Sequence, residues 1–207
     1  MKNLIKLAII LLILACKPLV ANINSKSEIE KEITNYSNEE TAKMMENLEY
    51  QLQHTKFYDP SYQSIKYPNG DVHIHTGVCA DVVIRALRAI SIDLQKEIHE
   101  DMVSNFSKYP NNWGLTKTDK NIDHRRVLNI LTYLKNKGKS SNLSSKASDY
   151  LPGDIVCWKL ENNLYHIGIV YNKIGQNNIP LVVHNIGSGA KCENVLFEWD
   201  IIGHFRI

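Results

Sequence analysis

The chain keeps its two hydrophobic periodicities apart, and that separation limits the folds open to it. From residue 155 onward, β-branched and aromatic runs at 155–160, 164–171, 179–184, 195–199 and 201–207 alternate with turn residues and read as five short strands. Connections this short do not suit parallel crossovers, so an antiparallel meander is expected. Upstream the spacing is helical. Val82, Val83, Ala86, Leu87 and Ile90 follow Cys79 at helical intervals and predict a helix with one buried face that includes Cys79. Asp123 reads as the N-cap of a second helix, with Val127, Leu128, Leu131 and Leu134 as its buried stripe and Gly138 beyond its end. Residues 25–55 are charged and helix-prone, with Ile29, Ile33, Tyr36, Met44, Met45 and Leu48 as scattered apolar positions, and read as one or two peripheral helices. YDP at 58–60 and YPNGD at 67–71 supply turns, residues 104–122 a loop, and GKSSNLSSKAS a polar connector. There is no internal repeat. Helices first and strands after is the order of an α+β domain.

The N-terminus stands outside that fold. Lys2 and Lys6 precede an unbroken apolar run over residues 7–15, which reads as an export signal and falls short of the roughly 20 apolar residues of a membrane span. LVA at 19–21 suits ordinary cleavage; ILAC at 13–16 weakly resembles a lipobox that would lipidate Cys16. Ordinary secretion is the expectation, with anchoring through Cys16 the alternative, so membrane contact is expected only through the signal or that anchor. The chain therefore divides into a signal (1–21), a peripheral helical segment (22–56) and a globular domain (57–207) in an exported, periplasmic or secreted protein. The full chain has 24 basic and 22 acidic residues, and loss of Lys2, Lys6 and Lys17 leaves it nearly neutral. Such a balance lacks the basic footprint that nucleic acid requires. The remaining length suffices for one core, and a monomer is expected.

Cysteine chemistry comes next. Without the signal the thiols are Cys79, Cys157 and Cys192, an odd number for an oxidising compartment, and a Cys157–Cys192 bridge is left open by the sequence. Cys79 opens its helix, where unsatisfied N–H groups and the macrodipole favour thiolate. Its own N–H can also serve half of an oxyanion hole. Asp81 and Arg85 are spaced as an ordinary helix pair. Among eight histidines, His166 lies in the strand LYHIGIV on the face of Gly168 and Val170, opposite Ile167 and Ile169. Gly168 would leave room beside it for substrate or the cysteine helix. His184 ends LVVHN and can orient the first imidazole; Asn185, on the opposite strand face, is the second choice for that place.

The helix-initial cysteine, PGDIV, HIGIV and the second His-bearing strand together resemble the NlpC-type branch of the papain-like cysteine hydrolases. The resemblance implies a papain-like α+β fold in which the Cys79 helix packs on an antiparallel sheet carrying His166 and His184. It also implies hydrolysis of amide or peptide bonds in bacterial cell-wall peptides without a cofactor, by nucleophile Cys79, base His166 and orienting His184. GVCADVVIRALRAISIDLQKEIHEDM, NFSKYPNNWGL, NIDHRR, LPGDIV, YHIGIV and LVVHNIGSG further resemble an uncharacterised bacterial envelope family, a domain of unknown function, over residues 55–207. The interval of 87 residues from Cys79 to His166 is wide for a compact NlpC-type domain, and the surplus holds NIDHRR.

In NIDHRR, Arg125 and Arg126 read as first-turn cations that oppose the macrodipole unless a carboxylate offsets them. That partner is either a carboxylate of the substrate, for which a guanidinium fork is suited, or an acid of the protein such as Asp81 or Asp123. His124 reads as helix-start packing. Tyr58, Asp59, Asp81 and Trp113 complete the residues expected near substrate. Two rival readings stand beside thiol hydrolysis. His73 and His75 lie on one face of a potential strand, so a zinc hydrolase using them with Cys79 and His166 is chemically sensible. A noncatalytic wall-binding scaffold is the other.

Overall fold

The structure is a computed structural model that describes residues 31–32 and 39–207. The export signal, Cys16 and much of the 22–56 segment lie outside the described residues. Strand β1 (Lys31–Glu32) precedes α1 (Glu39–His54), β2 (Phe57–Tyr58), β3 (Thr76–Gly77), α2 (Cys79–Arg88), α3 (Leu94–Asn105) and α4 (Val127–Asn136). Strands β4 (Ile155–Lys159), β5 (Tyr165–Ile174), β6 (Pro180–Asn185), β7 (Ala190–Glu193) and β8 (Asp200–Phe205) follow. This is an α+β fold, as the order of elements led us to expect, with α2 packed on an antiparallel sheet, as the family resemblance implied.

The sheet runs β7-β6-β5-β4-β8, with β1 pairing the far end of β5, while β2 and β3 form a separate parallel pair. The meander holds from β4 to β7; β8 then crosses back to pair β4 rather than extending the row. Alternation divides the core. Ile155, Cys157, Ile167, Ile169 and Val183 meet the helices, while Val156, Trp158, Val170 and Val182 pack with Tyr150 and Leu196 on the other face.

Several expectations change. Helix α1 is not peripheral, because Met44, Met45 and Leu48 are buried in the main core. Residues 195–199 do not form a strand; the fourth strand of the meander is β7. Asp123 does not cap a helix directly. It opens a 3₁₀ turn over Asp123–Arg125, and α4 starts after it, leaving Leu128 partly exposed while Ile130 is buried. Helix α3 appears where no helix was expected, its Asp93 carboxylate accepting from the Gln95 N–H at 3.2 Å. Cys157 is a buried thiol that is not in a disulfide, so the Cys157–Cys192 bridge does not form.

Gly168 has a different reason from the one expected. A Cβ built there would lie 2.7 Å from Val182 Cγ1, 3.0 Å from the Val183 carbonyl oxygen and 3.1 Å from His184 Cβ. The space is taken by β6, not left for substrate or the cysteine helix. Gly168→Ala should therefore destabilise the protein by about 1–3 kcal/mol, the usual cost of overpacking. Urea unfolding reads this, and an unchanged midpoint overturns it.

Candidate active site

Cys79 is the first residue of α2, and Asp81 holds that end of the helix by accepting the Val78 N–H at 2.7 Å. Cys79 is 7 % exposed as a residue and lines a cleft of about 420 Å³ beside Tyr58, Trp113, Arg126, Leu128 and Tyr165. The backbone N–H groups of Ile167, Ala80 and Cys79 itself lie against the sulfur and favour thiolate. Burial outweighs them and pushes the thiol up to about 12, with the Asp81 carboxylate adding to the rise. The helix N-terminus alone had led us to expect a lowered value.

His166, second in β5, presents its ring on the face of Val170, as alternation requires, stacked near Trp158 and edge-on to Trp199. Its Nε2 lies 2.8 Å from His184 Nδ1, and His184 Nε2 lies 2.9 Å from a carboxylate oxygen of Glu193. His184 is sealed from solvent, whereas the Glu193 side chain is 39 % exposed. Burial, reinforced by His184, holds His166 down to about 3; burial also lowers His184 against the pull of Glu193. Both rings are therefore neutral at ordinary pH. Among the described residues no hydrogen bond joins Cys79 to His166, although Cys79 packs against the start of the same strand.

Other expected site residues fall elsewhere. Asn185 does not reach His166: its amide donates to the Gly77 carbonyl at 3.0 Å, clamping β6 to the strand that leads into α2. Arg125 forms a buried two-pronged pair with Asp81, both contacts at 2.9 Å, and also donates to the carbonyls of Ser61 and Asp59. Neither Arg125 nor Asp81 is thus a free handle for substrate, and the expected Asp81–Arg85 pair gives way to Arg85–Asp71 at 2.8 Å. The Asp59 carboxylate accepts from Ser61 N–H and Gln63. Arg126 differs: its guanidinium lies 4.3 Å from the Trp113 ring centre and 3.3 Å from Asp123, on the wall of the cleft. His124 is buried and lowered to about 4 by that burial.

The zinc alternative does not assemble. His73 and His75 are exposed just ahead of β3, outside any strand, and among the described residues no three His, Cys, Asp or Glu side chains converge as a metal site. The sequence reading had missed Glu193 and the two tryptophans around the imidazoles. Reading AKCE as the partner of LVVHN would have found Glu193, since Lys191 stands opposite His184 and Glu193 two residues on, on the same face.

Comparison with known proteins adds three findings. Residues 45–207 match the family described as "Domain of unknown function (DUF1287)". The chain is 52% identical over 156 residues to the uncharacterized protein YijF of Escherichia coli (strain K12), covering 75% of this chain and 76% of that one. A solved structure, NlpC1 from Trichomonas vaginalis, is similar at 14% identity with a TM-score of 0.44, covering 84% of this chain but only 46% of its own length.

Proposed function

This chain belongs to the DUF1287 family, a domain of unknown function, and from that starting point we propose that it is an exported cysteine hydrolase cleaving an amide or peptide bond in peptidoglycan peptides. One observation carries the reading: a helix-initial cysteine lines a cleft beside the start of a strand whose histidine is bonded to a second histidine. The HIGIV and PGDIV resemblance and the export-type N-terminus point to the wall as substrate.

In this mechanism the thiol proton of Cys79 passes to Nδ1 of His166 while the sulfur attacks the carbonyl carbon. The N–H of Cys79 receives the developing oxyanion. Collapse expels the amine, which takes its proton from His166, and leaves an acyl-enzyme. Water, deprotonated by His166, then releases the acid and restores the thiol. Burial keeps thiol and imidazole neutral at rest, and Cys79 packs on the helix face of the sheet while the His166 ring lies on the face of Trp158 and Val170, so this mechanism requires substrate entry to rearrange the start of β5 before the proton is transferred. Arg126, laid over Trp113 and paired with Asp123 on the cleft wall, is the cation that a substrate carboxylate would meet there.

A noncatalytic wall-binding role is the second reading, and the missing thiol–imidazole hydrogen bond favours it. Digestion of purified peptidoglycan by the mature protein separates the two. Hydrolysis predicts new fragments by mass spectrometry that persist with chelator and vanish after alkylation at about pH 9. Binding to the wall without any fragment sinks the hydrolase and leaves the scaffold.

A further inference from the structure

We propose that Glu193 is a positioning residue that fixes the proton placement of both histidines and so makes Nδ1 of His166 the basic nitrogen. The inference rests on the hydrolase reading for its consequence, but its structural content is separate. A carboxylate only accepts, so the 2.9 Å contact between Glu193 and His184 Nε2 requires the proton on that nitrogen. Neutral His184 then has a bare Nδ1, which accepts from His166 across 2.8 Å. That places the His166 proton on Nε2. Its Nδ1, which has no hydrogen-bond partner among the described residues, is left with a free lone pair. A proton delivered there gives an imidazolium whose Nε2–H still donates to His184, with the Glu193 charge beyond it.

Remove the acceptor and the chain loses its direction. The reverse arrangement, with His184 donating from Nδ1 to His166 Nε2, forces the His166 proton onto Nδ1, where it blocks the base. The groups that face this pair are few. Glu193 and Lys191 reach His184 from β7, Lys191 opposing its protonation, while His166 is enclosed by His184 and the rings of Trp158 and Trp199. Glu193 is the one carboxylate bonded to either ring among the described residues. Its side chain is partly exposed on the last strand of its side of the sheet, so replacement there does not open the core.

Two substitutions give opposite expectations. Glu193→Gln offers an amide oxygen and keeps both protons on Nε2; Glu193→Lys offers only donors and reverses the chain. In the mature protein, ¹⁵N NMR of the histidine rings reads the proton positions directly. We expect Nε2–H on both His166 and His184 in the wild type and in Glu193→Gln, and Nδ1–H on both in Glu193→Lys. On the peptidoglycan substrate, kcat/KM should stay within about tenfold for glutamine and fall about 10²-fold or more for lysine, chiefly in kcat, as expected for a misplaced base proton. Unchanged proton positions in Glu193→Lys overturn the inference. Should that variant not fold, Glu193→Ala takes its place, and retention of Nε2–H on both rings has the same force. If the wild type cleaves no more than Cys79→Ala, the hydrolase reading fails while the NMR result still decides the role of Glu193.

Discussion

If the proposed thiol hydrolysis holds, Cys79→Ala should release no fragment from peptidoglycan, a loss of about 10⁵-fold or more relative to wild type if the nucleophile behaves like that of other acyl-transfer enzymes. His166→Ala leaves the thiol but removes the base, and a smaller loss of about 10²- to 10⁴-fold is expected. The order of the two variants tests the assignment as well as their size. Thiol reactivity gives an independent check. With Cys79 pushed up to about 12 and His166 held down to about 3, the resting site is no ion pair. Raising the pH increases the thiolate fraction about tenfold per unit below that value. Alkylation of Cys79 without substrate should therefore climb steadily from pH 7 to 10. A rate already at a plateau at pH 7 would place a thiolate–imidazolium pair in the resting protein and discard the substrate-assembly step.

The second large effect concerns stability. Asp81 and Arg125 have side chains only 3 % and 2 % exposed, and Asp81 also accepts the N–H that begins α2. Removing either partner strands a charge in the interior, so Asp81→Ala and Arg125→Ala should each destabilise by about 3–5 kcal/mol. Replacing both with apolar residues of similar volume should cost much less, because desolvation of the pair disappears with the charges. Urea unfolding of the two single variants and of Asp81→Leu/Arg125→Met reads the contrast. Single variants within about 1 kcal/mol of wild type would mean that the pair holds little of the fold together. Arg125 spans from the 3₁₀ turn to the cysteine helix and to the backbone of residues 59 and 61, so local opening of the cleft wall should accompany its loss.

These results also locate what the sequence made legible. The cysteine helix, the α+β order and the two histidine strands followed from periodicity, because each carries a continuous apolar face. Helix α3 did not, since Leu94, Ile98 and Met102 recur every fourth residue among charged neighbours and α3 buries only a narrow stripe. Strand β7 was equally hard to see: AKCE has no β-branched residue and is held by its pairing with β6. Glu193 was missed with it. Arg125 was misread because a 3₁₀ turn precedes α4 and points its guanidinium back to Asp81, a contact 44 positions away that local spacing does not encode. The thiol pKa failed for a related reason. A helix terminus is local and readable, while burial of Cys79 depends on β5, far along the chain.

The return of β8 to β4 has a consequence for how the sheet is completed. The hairpins from β4 to β7 join neighbours in the chain, but the outer edge of β4 waits for β8, the last strand to follow. Four of the five β4 residues are buried, and without β8 their unpaired N–H and C=O groups would form an open edge on an apolar strand. Such an edge is a template for pairing with another chain. Strand β8 thus acts as the molecule's guard against self-association, and chains that lose it to clipping should be the first to aggregate.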